Sequence, residues 1–141
     1  MKQKFFKLFK TKKPIIAMVH FPALPGSPLY DEKKGLGFIL NSINSDLKNL
    51  QNAGVDAVMF GNENDRPYEL NVNKASLSTM AFMIGRVKDK LKIPFGVNVL
   101  WDPISTIALA ASTNAHFVRE IFSGTYASDM GLWSPDAGKA M

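Results

Sequence analysis

The chain has 141 residues, 46% of them hydrophobic and 21% charged, which is typical of an ordinary globular domain. Its formal charge of +5 comes from six lysines before residue 14, since the 17 basic residues fall to 11 beyond that point, against 12 acidic ones. No basic surface remains for phosphodiester binding, so we expect no nucleic-acid partner. The lack of cysteine excludes disulfides and thiol chemistry, and it favours a cytoplasmic protein.

Residues 1–14 form a basic segment ahead of the first predicted strand. Phenylalanines are scattered among its lysines, unlike the continuous apolar core of a signal peptide. No apolar run in the chain approaches the roughly 18 residues of a membrane span, so we expect no integral membrane segment. Two interpretations of the basic segment stay open: a lid over one end of the fold, or a short amphipathic helix that binds anionic lipid.

Four apolar segments predict buried parallel strands, and helical patterns separate them. The strands are predicted over residues 15–21, 55–61, 95–100 and 117–122, and the helices over residues 35–53, 74–91 and 104–113. Gly54 predicts a helix end and Asn114 a left-handed one, while Asp102 followed by Pro103 is a typical helix start.

This alternation predicts an α/β fold, a parallel (β/α) barrel of the TIM type. A closed barrel of eight units needs about 250 residues, so residues 15–141 are expected to form about four units, the N-terminal half of a truncated barrel. The first and fourth strands would then be unpaired edges, which favours a homo-oligomer or dependence on a partner.

Each predicted strand ends in polar residues, and in a parallel sheet the C-terminal ends of all strands lie along one edge. His20 follows the first strand, where an imidazole can act as base, acid or ligand. Glu63, after the second strand, can abstract a proton or hold a divalent cation with His20. Asp65 beyond it is expected to be a solvated loop residue.

Asn98 and the pair Arg119 and Glu120 mark the third and fourth strand ends. Either Asn98 or the flanking valines face the barrel interior. Arg119 and Glu120 are adjacent, so only one of them is expected to enter the barrel. An inward Arg119 suits a phosphate or carboxylate, and the alternative is a buried ion pair. We find no phosphate-binding glycine motif, zinc-ligand spacing or nucleophile elbow.

Four stretches together resemble the BtpA/SgcQ family, and its SgcQ branch in particular. They are IIAMVHFPALPGSP (15–28), AGVDAVMFGNE (53–63), IPFGVNVLWDP (93–103) and FVREIFSGTYASDMGLW (117–133). The resemblance implies a ribulose-phosphate-binding barrel, in a family with some phosphoribosylanthranilate-isomerase-like members and others linked to photosystem I assembly. Gly61 stands where the BtpA branch often has an acidic residue.

The resemblance and the strand-end pattern together suggest a sugar-phosphate isomerase or lyase of carbohydrate metabolism, with a small phosphorylated sugar as partner and an unknown cofactor. The alternative is a non-catalytic assembly or stability factor for a membrane complex. The candidate catalytic residues are His20, Glu63 and Asn98. The candidate substrate-binding residues are Asn62, Arg119 and Asp129, and no metal is expected.

Overall fold

The computed structural model describes residues 2–141, which contain one four-stranded parallel sheet with helices between its strands. The strands are β1 (Ile16–His20), β2 (Ala57–Gly61), β3 (Phe95–Asn98) and β4 (Phe117–Val118), in the spatial order β1-β2-β3-β4. The helices are α1 (Lys2–Phe9), α2 (Gly35–Asn52), α3 (Lys74–Val87), α4 (Pro103–Thr113) and α5 (Ala137–Ala140). The α/β barrel-type fold class is therefore confirmed.

The two faces of the sheet differ in character. One face of the sheet packs against the helices and forms the buried core. Strands β1, β2 and β3 and helices α2, α3 and α4 all contribute to this core, with residues that include Val19, Val58, Phe60, Val97, Ile43, Met80 and Leu109. Val97 and Val99 belong to this core, so Asn98 between them faces the other way. The opposite face, the inner face of the barrel, therefore carries Asn98.

Local signals in the sequence placed both ends of α4 and the end of α2 correctly, whereas α3 ends at Val87 rather than at residue 91. Asp102 is the N-cap of α4, where its side chain accepts from the Ser105 N–H, and Pro103 is the first helical residue. Asn114 ends this helix in the left-handed conformation at φ 60°. Gly54 after α2 has φ 77°, a conformation that glycine adopts without a steric cost.

The fourth strand is shorter than predicted, since β4 ends at Val118 rather than at residue 122. The Arg119 N–H still donates to the Val97 carbonyl at 3.3 Å. Two residues further on, where a continued ladder would have its next donor, the N–H of Ile121 bonds to the Glu120 side chain at 2.8 Å. The predicted loop beyond it contains a β-hairpin of β5 (Tyr126–Ser128) and β6 (Gly131–Trp133).

Residues 2–9 of the basic N-terminal segment form α1, and Phe9 of this helix contacts the sheet. Phe9 is buried and lies 5.5 Å from the ring of Phe117, which itself covers Gly96 on the inner face. Phe5 and Phe6 remain 39% and 45% exposed. The Phe9 contact fits the lid interpretation, while the exposed rings leave the lipid-binding interpretation open. Within residues 2–141, no helix is long and apolar enough to cross a membrane.

Candidate functional site

The inner face ends in one row of register partners at the C-terminal edge of the sheet. His20 pairs with Gly61, and Gly61 pairs with Asn98. Glu63 lies two residues beyond Gly61, and its side chain folds back over this row. A Cβ atom built on Gly61 would lie only 2.5 Å from Glu63 Oε2. The missing side chain at position 61 thus leaves the space that the Glu63 carboxylate fills.

The Glu63 carboxylate lies between two basic side chains. Its Oε1 is 3.5 Å from His20 Nε2 and 3.7 Å from Arg119 Nη2, distances of charge contacts rather than of short hydrogen bonds. Its Oε2 is buried, and among the described residues it has no hydrogen-bond partner. A buried acceptor without a partner is costly, and such groups call for a structural or functional explanation.

Asn98 joins the next two residues of this site. Its Oδ1 accepts from Arg119 Nη2 at 3.0 Å, while its Nδ2 donates to Glu120 Oε2 at 2.6 Å. Arg119 and Glu120 therefore both reach Asn98, and the prediction that only one of them enters the barrel is wrong. The alternation of side chains holds only within a strand, and β4 ends one residue before Arg119. We call His20, Glu63, Asn98, Arg119 and Glu120 the charged cluster.

The Glu120 carboxyl group is partly buried beside Asn98 and Arg119. Burial raises the pKa of Glu120, and the charge of Asp102 adds to this effect. Hydrogen bonds from Ile121 and Asn98 and the charge of Arg119 oppose it without cancelling it. Glu120 was not among the predicted site residues, although its place next to Arg119 at a strand end was the signal that marked the others.

Arg119 is accessible, which argues against the buried ion-pair alternative. Its side chain is 56% exposed and that of His20 is 45% exposed, whereas Glu63 is 21% exposed. An exposed guanidinium at the edge of the charged cluster can therefore meet an anionic ligand from solvent.

Asn62, next to Glu63 in the sequence, has a structural partner. It is almost fully buried, and its Oδ1 accepts from the Leu100 N–H at 2.8 Å, which ties the loop after β2 to the loop after β3. It also lines a separate cavity of about 160 Å³ together with Asp65. Asp65 is buried and accepts from the Leu24 N–H, so the expectation of a solvated loop residue is wrong. A buried backbone donor needs such a partner.

A larger cavity of about 550 Å³ opens beside the charged cluster, and we call it the aromatic cleft. Its walls come from the loop after β2, from Trp101 and from the β5–β6 hairpin: Arg66, Pro67, Tyr68, Trp101, Ile121, Tyr126, Ala127, Ser128, Asp129, Met130 and Trp133. Asp129 lies here rather than in the charged cluster. Sequence reasoning missed the cleft, since its aromatic residues are scattered over three distant segments.

The predicted site residues therefore fall into three places. His20, Glu63, Asn98 and Arg119 meet in the charged cluster, Asn62 lines the separate smaller cavity, and Asp129 lines the aromatic cleft. Their catalytic and binding roles stay predictions. Among the residues that the structure describes, no three His, Asp or Glu side chains are grouped to hold a metal ion.

The fold and the position of the charged cluster define a protein of the parallel α/β barrel class, in which sites form at the C-terminal ends of the strands. Two solved structures show the same fold. A Yersinia pestis dihydropteroate synthase with a sulfonamide drug matches at a TM-score of 0.54 and 16% identity, over 77% of this chain and 37% of that chain. A dihydropteroate synthetase with a product matches at 0.54 and 15% identity, over 78% and 37%.

The chain belongs to the BtpA family, whose family model matches residues 11–141. The putative sgc region protein SgcQ of Escherichia coli is 47% identical over 93% of this chain and 49% of its own length. The photosystem I biogenesis protein BtpA of Synechocystis is 31% identical over 90% and 45%. The predicted family is confirmed, and the chain spans about half the length of the curated relatives it matches.

Proposed function

We propose that the charged cluster binds a small phosphorylated sugar and transfers a proton on it, as a cytoplasmic isomerase or lyase of carbohydrate metabolism does. One observation carries this proposal: Glu63 Oε1 lies within 4 Å of both His20 Nε2 and Arg119 Nη2. A carboxylate that abstracts a proton next to a carbonyl needs an acid and a positive charge nearby, because negative charge develops on the substrate oxygen.

Each residue of the charged cluster has a role in this proposal. Glu63 is the base, and His20 exchanges a proton with the substrate oxygen. Arg119 contacts the phosphate or the developing enediolate. Both ends of the Asn98 amide are engaged by Arg119 and Glu120, so Asn98 acts as a positioning residue that holds the guanidinium over the site.

Solvent deuterium exchange tests the proton transfer. A panel of ketose and aldose phosphates is incubated with the protein in D₂O, and loss of the proton next to the carbonyl is followed by NMR. We expect exchange that falls by about 100-fold or more in Glu63→Gln and His20→Gln. Glu32→Gln, in the exposed loop before α2, is the matched control and keeps the original rate. An unchanged rate in Glu63→Gln contradicts the assignment of the base.

Anion affinity tests the role of Arg119. We expect Arg119→Met to weaken binding of the phosphorylated ligand by about tenfold, since it removes a charge-assisted contact. Lys88→Met, which removes a cation in the turn after α3, leaves the affinity unchanged. Equal losses in the two variants contradict the phosphate-binding role and leave Arg119 as a partner of Glu63 and Asn98.

The second candidate function is that of a non-catalytic assembly or stability factor for a membrane complex. Two observations favour it: the Synechocystis relative is named a photosystem I biogenesis protein, and α1 exposes Phe5 and Phe6 among lysines. A helix of this kind binds anionic membranes. Sedimentation with anionic vesicles tests it, and this candidate requires binding that weakens with salt and is lost when residues 1–13 are removed.

A further inference from the structure

The aromatic cleft takes no part in the proton transfer, yet it has the properties of a ligand site. Its volume of about 550 Å³ lies within the range of small-molecule sites in proteins. Its lining includes four aromatic side chains and two charged ones that supply hydrogen-bonding groups: Tyr68, Trp101, Tyr126, Trp133, Arg66 and Asp129. A few polar groups in a mostly aromatic wall are typical of sites that orient a ring.

The aromatic rings also support one another. Trp101 lies 6.3 Å from Tyr68 and 5.9 Å from Trp133, both edge to face. Trp133 in turn lies 5.5 Å from Tyr126 at a smaller angle of 37°. Contacts between rings favour one arrangement of these side chains, which lowers the entropic cost of ordering them around a ligand.

The cleft adjoins the charged cluster at two points. The carbonyl oxygen of Glu63 accepts from Tyr68 Oη at 2.8 Å and from Arg66 Nε at 3.2 Å. Ile121, in the cleft wall, donates its N–H to Glu120 Oε1 at 2.8 Å. The cleft therefore contacts the backbone of Glu63 and lies next to Glu120, so a ligand at the charged cluster can extend towards it.

We propose that the aromatic cleft binds a carbohydrate ring, so that the substrate is a phosphorylated disaccharide whose phosphorylated ring can open to a carbonyl, rather than a single sugar phosphate. The phosphorylated part rests on the function proposed above. A pyranose ring presents an apolar C–H face, which packs on Trp and Tyr rings, and its hydroxyl groups bond to the Arg66 guanidinium and the Asp129 carboxylate.

Tryptophan fluorescence reads the occupancy of the cleft directly. The chain has two tryptophans, and both of them line the cleft. The protein is titrated with cellobiose, with cellobiose phosphorylated on its reducing ring, with glucose 6-phosphate and with adenosine. We expect phosphorylated cellobiose to change the emission and to bind about tenfold more tightly than glucose 6-phosphate. Trp101→Phe and Trp133→Phe each leave one reporter, and both reporters respond.

A pair of tyrosine variants assigns the gain to the cleft. Tyr126→Leu removes one wall ring and abolishes the tenfold difference, and the 41% exposure of Tyr126 keeps the cost to folding small. Tyr30→Leu, outside the cleft, keeps the difference. A melting curve confirms that each variant is folded.

The outcomes separate this inference from the proposed function. Equal affinities for phosphorylated cellobiose and glucose 6-phosphate, or no emission change with either disaccharide, overturn the cleft assignment and leave the exchange assay to judge the function. Equal binding of cellobiose with and without phosphate supports the cleft and counts against a phosphorylated ligand. Tighter binding of adenosine than of either disaccharide overturns the carbohydrate assignment.

Discussion

Gly61→Ala is expected to separate the Glu63 carboxylate from its two basic neighbours although none of these three residues is replaced. The new Cβ atom would lie 2.5 Å from Glu63 Oε2, whereas ordinary contact begins near 3.4 Å, so the carboxylate must retreat by about 1 Å. The contacts of 3.5 Å with His20 and 3.7 Å with Arg119 then open beyond the range of an ion pair. A misplacement of about 1 Å is expected to lower a reaction rate by about 100-fold.

The stability of the Gly61→Ala variant is expected to change little. The displaced atoms are the end of a flexible side chain, and alanine lowers the entropy of the unfolded chain, so the free energy of unfolding stays within about 1 kcal/mol of the original. Affinity for an anionic ligand is expected not to fall, because Arg119 loses a neighbouring negative charge. Slower proton transfer with unweakened anion binding is thus the specific result.

Gly85→Ala in α3 is the matched control, because a Cβ atom there meets nothing within 4 Å. It should raise stability by about 0.5–1 kcal/mol and leave the site unchanged. Urea unfolding, deuterium exchange and anion titration are measured on both variants. An exchange rate in Gly61→Ala equal to the original refutes the reasoning, since the carboxylate would then react equally well from another position.

Three further outcomes concern stability, and one concerns assembly. The pKa of Glu120 in the folded protein lies above its ordinary value of 4.5, so the unfolded chain loses this proton at a lower pH than the folded chain does. Stability should therefore fall as the pH rises from about 4.5 through the folded pKa. Urea unfolding at several pH values should show a smaller fall in Glu120→Gln. Asp102→Ala should cost about 2–3 kcal/mol, because this buried carboxylate accepts from Ser105 and from the Val72 N–H, whereas Asp136→Ala at the exposed cap of α5 should cost about 1 kcal/mol or less in the same unfolding assay. Phe9→Ala should cost about 3 kcal/mol by chemical denaturation and Phe5→Ala far less, since only Phe9 is buried against the sheet. Light scattering should detect a dimer or larger assembly, because β1 and β4 each have a single neighbour in the sheet, and a monomer that melts cooperatively would contradict this.

Features that depend on neighbouring residues were predictable from the sequence. The start of α4 at Asp102 and Pro103 and its end at Asn114 each depend on the conformational preferences of one or two residues. The four parallel strands were also predicted correctly in number and order. Because parallel strand ends share one edge, the meeting of His20, Glu63 and Arg119 could be anticipated without knowing any distance.

Features that depend on distant segments were not predictable in this way. The Glu120 side chain can turn towards Asn98 because β4 stops before it. At that place the Glu120 carboxylate accepts from the Ile121 N–H. The burial of Asp65 depends on the Leu24 N–H, which lies 41 residues earlier in the chain. The aromatic cleft needs Tyr68, Trp101 and Trp133 to come together from three loops, and no periodicity in the sequence encodes such a meeting.

The order of the strands has a consequence for how the charged cluster forms. Each strand pairs with the one immediately before it in sequence, so the sheet can grow unit by unit from the N-terminus during synthesis. Glu63 meets His20 once β2 has paired, but Arg119 reaches it only when β4 is in place. The attraction between Glu63 and Arg119 therefore favours docking of the fourth unit, and residues proposed for catalysis also stabilise the pairing of β4 with the sheet.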